Sequence, residues 1–234
     1  MRSLLFLTIL ALCSQAFANV EVSLSQPNEN ETIGKRLPDV SFLNEDNQKV
    51  KLSSSEEKAF LFVPFYTHCK STCPLNISHL KDVLKNFSNN DYRVVLFSFN
   101  PDDTFQDLKD FRKALQVPKE WSIFKASAGD TNSILRTIDF RYMTEGVDFV
   151  HSNTIVVLSP TLGIVKFIQG LGYTPRSIDN SIKEAKRLTH SAERTSLIVL
   201  ALLLALFVLT QVRGSRFDKM SRVLHGESQK EGHG

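Results

Sequence analysis

Two cysteines stand four positions apart in Phe65-Tyr66-Thr67-His68-Cys69-Lys70-Ser71-Thr72-Cys73-Pro74. Paired thiols can do two kinds of chemistry. As thiolates they are soft ligands that select Cu(I), or zinc where further ligands complete a tetrahedron. As a dithiol they can cycle to a disulfide and back. The neighbouring sequence says how they are held. The apolar run of residues 59–63 reads as a buried strand. In residues 75–87, Ile77, Leu80, Val83, Leu84 and Phe87 recur at helical spacing. Pro74 suits a first helical turn, where its missing N–H would have no partner. Both cysteines are therefore expected in the loop between strand and helix. Cys73 is expected at the helix's positive end, which favours a thiolate.

A purely structural disulfide between them is a weak reading. The loop it would close is tiny and constrains the unfolded chain little. A domain of this length also has core enough without it. A metal site would gain from a histidine. His190 lies in a polar stretch and His79 reads as a surface residue of the cysteine helix. His68 adjoins Cys69 and cannot easily turn to the same point, although it can tune that thiol. His225 and His233 fall in a polar tail. His151 sits at the mouth of the strand over residues 154–158, where a histidine is either a hydrogen-bonded structural residue or a ligand. Position alone leaves both open.

The elements that must bring these residues together follow from the rest of the pattern. The chain has 234 residues, 42% hydrophobic and 23% charged, as globular proteins do. Its net charge of +3 is too weak to suggest nucleic acid as a partner. Short apolar segments at 38–42 and 50–52 suggest a hairpin. Residues 92–99 form a second strong strand, and 100–104 break it and cap a helix carrying Phe105, Leu108, Phe111 and Leu115. Residues 122–126 read as a strand, and Asp130 as the cap of a helix through Ile138. Residues 154–158 and 164–168 flank a turn and read as a hairpin. Thr174-Pro175 opens a last helix. This order implies an α/β fold, a mixed sheet with helices on both faces.

The ends suggest targeting. Residues 1–18 have the charge, apolar core and Ala-x-Ala site of a signal peptide. Residues 19–36 read as a linker and 37–194 as one domain. Residues 195–212 carry no charge, and at about 1.5 Å per residue would span roughly 27 Å, so a C-terminal transmembrane helix is expected. Residues 213–234 would be a cytosolic tail. The expected topology is single-pass in a lipid bilayer, with the domain on the periplasmic (outer) face.

The chain resembles the Sco/SenC family of copper proteins used in cytochrome c oxidase assembly. The family's Cys-x3-Cys-Pro is matched by Cys69, Cys73 and Pro74. Its Ser-x-Asp-Pro-x-x-Asp-Thr turn is similar to Ser98-Phe99-Asn100-Pro101-Asp102-Asp103-Thr104. Its lone histidine before an apolar strand is matched by His151, and its opening Pro-x-Phe-like segment by Pro38 to Phe42. The resemblance implies a thioredoxin-like fold and a site in which Cys69, Cys73 and His151 bind copper, as Cu(I) or Cu(II). The implied partner is a recipient cuproprotein, such as the copper subunit of an oxidase. The chain departs from the family at Val150 and Asn100, where aspartate is usual. The alternative function is a thiol-disulfide oxidoreductase that reduces the recipient's cysteines through the redox-active pair Cys69 and Cys73. A peroxidase on the same fold is a third reading, disfavoured by a second cysteine so close to the first.

Overall fold

The computed structural model describes residues 26–52, 57–88, 90–145, 148–189 and 198–206. Its elements run α1 (Glu29–Thr32), β1 (Phe42–Asn44), β2 (Lys49–Val50), β3 (Ala59–Phe65), α2 (Thr72–Leu84), β4 (Tyr92–Ser98), α3 (Phe105–Ala114), β5 (Ser122–Lys125), α4 (Ala128–Thr137), β6 (Tyr142–Glu145), β7 (Asp148–His151), β8 (Thr154–Leu158) and β9 (Ile164–Gln169). A helix over residues 175–189, α5, follows.

Seven strands form one sheet in the order β2-β1-β5-β4-β3-β8-β9. β3, β4 and β5 are parallel, in the crossover pattern β3-α2-β4-α3-β5. β8 and β9 add antiparallel on one side, β1 and β2 on the other. Every residue of β3 and of β8 is buried. Successive strand side chains point to opposite faces, so burial of all of them means that both faces of the sheet are covered. This is the expected mixed α/β arrangement. Pro64 lies inside β3, yet β8 pairs only with Phe60, Leu61 and Phe62. The proline therefore falls where the β8 ladder has already ended, a place that tolerates a missing donor.

Capping explains where the helices start. In α3 the Thr104 side chain accepts from the Asp107 N–H while Asp107 accepts from the Thr104 N–H, a reciprocal capping box. In α4 the cap is Ser127, whose hydroxyl accepts from the Asp130 N–H at 3.2 Å. Asp130, expected as the cap, is instead in the first turn. The N-terminal hairpin is Phe42–Asn44 against Lys49–Val50, shifted inward from the expected segments. The two-stranded sheet of β6 and β7 was not foreseen at all.

The expected C-terminal transmembrane helix is corrected. No helix among the described residues is long and apolar enough to cross a membrane. Residues 198–206 are helical with exposed apolar side chains. The expectation of a single-pass topology, with the lipid bilayer as a partner, falls with it. The remainder of 195–212, the expected signal peptide at 1–18 and the tail at 213–234 lie outside the described residues.

Beneath the end of the sheet an aromatic cluster is centred on Phe99, which is 1% exposed. Its ring centroid lies 5.1 Å from those of Phe140 and Tyr142, 5.5 Å from Phe149, 5.6 Å from Tyr66 and 5.3 Å from His151. Phe99→Ala is expected to cost roughly 3–5 kcal/mol, the range for emptying a buried aromatic site. Denaturant unfolding, with the slope checked for two-state behaviour, measures it.

Candidate metal centre

β3 ends at Phe65, and the chain turns through Tyr66-Thr67-His68 to reach Cys69. β8 runs antiparallel to β3, so the start of β8 lies beside the end of β3. β7 feeds into β8 through Ser152 and Asn153, which brings His151 to the cysteines. One donor atom from each of Cys69, Cys73 and His151 lies within 4.8 Å of the other two. The Cys73 Sγ is 3.6 Å from His151 Nε2. Both cysteines are buried free thiols.

The helix start differs from expectation in a way that decides the electrostatics. α2 begins at Thr72, so Cys73 is inside its first turn, and the cap residue Ser71 makes no side-chain cap bond. The Cys73 N–H instead donates to the Cys69 Sγ at 3.4 Å. The sulfur of Cys69 thus takes the place of a capping oxygen and receives the field of the helix terminus. Its pKa is lowered to about 3: the Cys73 thiol donates to it, which outweighs the upward push of burial, and the N–H groups of Cys73 and Ser71 add to the effect. Cys73 is pushed up, because its proton is held by Cys69 and because it is buried. The expectation that Cys73 would be the thiolate is therefore reversed.

His151 is oriented by the backbone. Its Nδ1 lies 2.9 Å from the Ser152 carbonyl oxygen, which can only accept, so Nδ1 carries the proton and Nε2 presents its lone pair to the sulfurs. β7 alternates exposed and half-buried residues. Phe149 and His151 face inward, while Asp148 and Val150 face out. Neither Val150 nor Asp148 can orient the imidazole; the Ser152 carbonyl does so. Aromatic rings fix it on other sides, with Tyr66 at 5.8 Å and Phe140 at 5.6 Å between centroids. The Tyr66 hydroxyl accepts from the Phe149 N–H at 3.4 Å and ties the cysteine loop to the β6–β7 sheet. Burial, ahead of its other causes, pushes the Tyr66 pKa up to about 12, so it stays neutral.

The other histidines are elsewhere. His79 Nε2 is 3.0 Å from the Tyr173 carbonyl oxygen, and the rings pack at 4.5 Å. His68 is exposed and contacts Thr67 Oγ1 at 3.0 Å and Asp103 at 3.6 Å. His190, His225 and His233 lie outside the described residues.

Residue-type reasoning about ligands overlooked Asp103, which has 0% exposure. Its carboxylate accepts from the Thr67 N–H (2.9 Å), the Thr67 hydroxyl (2.7 Å), the Ser98 hydroxyl (2.5 Å) and the Asn100 side-chain amide (2.9 Å). It thus anchors the chain two residues before Cys69. The signal was the Ser98-to-Thr104 turn, visible in the sequence as a strand breaker. A cavity of about 310 Å³ opens beside Cys69, between Thr67, His68 and Pro74 on one side and Asp107 and Phe111 of α3 on the other.

Comparison with known proteins finds one family across most of the domain. The SCO1/SenC family model matches residues 28–187. The SCO1 protein homolog of Bacillus subtilis (strain 168) is 26% identical over 156 residues, 62% of this chain and 79% of that protein. A chain from Aquifex aeolicus VF5 superposes with a TM-score of 0.62 at 34% identity, covering 65% of this chain and 94% of that one. Arabidopsis thaliana ScoI, solved with copper bound, superposes at 0.55 with 25% identity over 66% of this chain and 99% of its own.

Two outcomes are expected. In the reduced, metal-free protein, iodoacetamide at pH near 5 should label Cys69 and leave Cys73 unmodified, as peptide mass spectrometry would read. Labelling of Cys73 first would reverse the assignment of the thiolate. Asp103→Asn cannot accept all four donors, and should lower the free energy of unfolding, measured by denaturant titration, by roughly 1–3 kcal/mol, the penalty for stranding buried donors.

Proposed function

The chain belongs to the SCO1/SenC family, and from that premise we propose that it binds copper through Cys69, Cys73 and His151 and passes it to a recipient cuproprotein. The observation that carries the reading is the convergence of two sulfurs and a bare imidazole nitrogen on one point. Two thiolates and a neutral imidazole suit Cu(I), which accepts three soft donors. One proton is already absent from the pair, since Cys69 is the thiolate; binding would release the second from Cys73. Copper is cargo here. The recipient would replace the ligands one at a time, and the cavity beside Cys69 gives it a path to that sulfur first. The copper-bound Arabidopsis ScoI supports the choice of metal. The copper centre of a cytochrome c oxidase subunit is the recipient we favour, in keeping with the description of BsSco as a member of the Sco family of oxidase assembly proteins.

The depressed pKa of Cys69 favours a second reading, thiol-disulfide exchange with the recipient's cysteines. Cys69 would attack a recipient disulfide, Cys73 would resolve the mixed disulfide, and two electrons would pass to the recipient as a Cys69–Cys73 disulfide forms. The two readings can belong to one cycle, reduction of the recipient and delivery of the metal.

Copper titration against a competing Cu(I) chelator tests the proposal. The reduced protein should bind one copper. Cys69→Ala or Cys73→Ala should lower affinity by more than about 100-fold, beyond the 10–100-fold typical of losing an outer partner. His151→Ala should lower it less, and unchanged affinity would remove His151 from the site. Oxidation to the disulfide leaves no thiolate and should abolish binding; equal affinity in the oxidised protein would refute the two-thiolate site.

A further inference from the structure

A second cavity, of about 420 Å³, is bounded by Phe140 and Tyr142 of the aromatic cluster. Asn132, Leu135 and Arg136 of α4 form one wall, and Phe140, Arg141 and Tyr142 the other. Arg136 gives it a cationic character that neither the cysteines nor His151 needs, and Arg141 adds a guanidinium whose charge Asp139 partly offsets. Arg141 pairs with Asp139 at 3.1 Å, but its side chain remains 58% exposed. Arg136 donates to the carbonyl of Asn132 at 3.3 Å and has no carboxylate partner among the described residues. Guanidinium forks of this kind match carboxylates, which they can hold through paired hydrogen bonds.

The cavity shares walls with the metal centre. The Phe140 ring packs 5.6 Å from His151, and Tyr142 is the cross-strand partner of His151. On the outer face of the same two strands, Met143 pairs with Val150, and the two side chains are 48% and 41% exposed. The pocket itself meets β6 on the opposite face, through Tyr142, the face that also carries His151.

We infer that this pocket docks an acidic peptide segment of the recipient protein, its carboxylates on Arg136 and Arg141 and its apolar side chains against Leu135, Phe140 and Tyr142. The inference rests on the copper-delivery reading and names the recognition surface that reading lacks. A peptide fits better than a free inorganic anion, because Leu135, Phe140 and Tyr142 offer apolar contact that only a side-chain stem or ring can use. Docking here would bring the recipient alongside His151, with the charge complementarity directing its approach.

The test uses the full-length, reduced, metal-free protein labelled with ¹⁵N. The probe is the capped peptide Glu-Glu-Phe-Glu-Glu, with Lys-Lys-Phe-Lys-Lys and inorganic phosphate as controls. The acidic peptide should give saturable amide shifts confined to Asn132, Arg136, Phe140 to Tyr142 and His151, which weaken as salt rises. Arg136→Gln with Arg141→Gln should lower its affinity at least about tenfold, as expected for loss of charge-assisted pairs. Arg136→Lys with Arg141→Lys keeps both charges and should still bind, which separates loss of docking from loss of fold. Phosphate producing the same shifts at equal affinity would overturn the assignment in favour of a free-anion site. Shifts scattered over the surface and unchanged in the Gln variant would overturn it in favour of non-specific attraction. Copper titration of the Gln variant should match the unaltered protein, so failure of metal binding and failure of docking are read separately.

Discussion

The antiparallel pairing of β8 with β3 is the constraint on which the site depends. A parallel neighbour would have placed the start of β8 at the opposite end of the sheet from the cysteines. Pairing Phe60 with Leu158 and Phe62 with Val156 instead sets the two polypeptide ends side by side. The pairing is held by strands buried on both faces, so a slip of one residue would exchange side chains between two packed faces and misfit both. The distance from Cys73 to His151 is therefore a consequence of core packing rather than of local loop geometry.

Two further devices act on that frame. The carboxylate of Asp103 gathers four donors and pins Thr67, so the loop leading to Cys69 is held by a buried charge fully satisfied by hydrogen bonds. The aromatic cluster about Phe99 holds His151 from below, and the Ser152 carbonyl selects its tautomer. The substitution of valine for the family's usual aspartate at 150 costs the imidazole no hydrogen bond, because that side chain points away from it.

The division of roles between the thiols follows first from the bond that the Cys73 thiol donates to the Cys69 sulfur, and a backbone contact adds to it. Starting α2 at Thr72 directs the Cys73 N–H at the sulfur of Cys69. The helix field then falls on the earlier cysteine and leaves the later one protonated. A reading that counts helix positions from Pro74 puts the field on the wrong sulfur. Pro74 occupies the third helical position, which also needs no amide donor.

By itself, the sequence determined the cysteine pair, the central strands, the helices between them and the mixed sheet. These are written in local apolar periodicity and in caps such as Thr104 with Asp107. It also singled out His151, though position alone left its role open. The tertiary structure decided the rest. The β6–β7 sheet that carries His151 has short, half-exposed strands with no strong periodicity, so only its pairing and its packing on Phe99 define it. The role of Asp103 depends on Thr67, far off in the chain, and so has no local signature. The uncharged stretch at 195–212 met a length criterion that counts residues, whereas no helix among the described residues is long and apolar enough to cross a membrane. Which cysteine carries the charge was settled by the contact between the two thiols, to which the start of one helix adds, and that contact depends on how the chain leaves β3, not on composition.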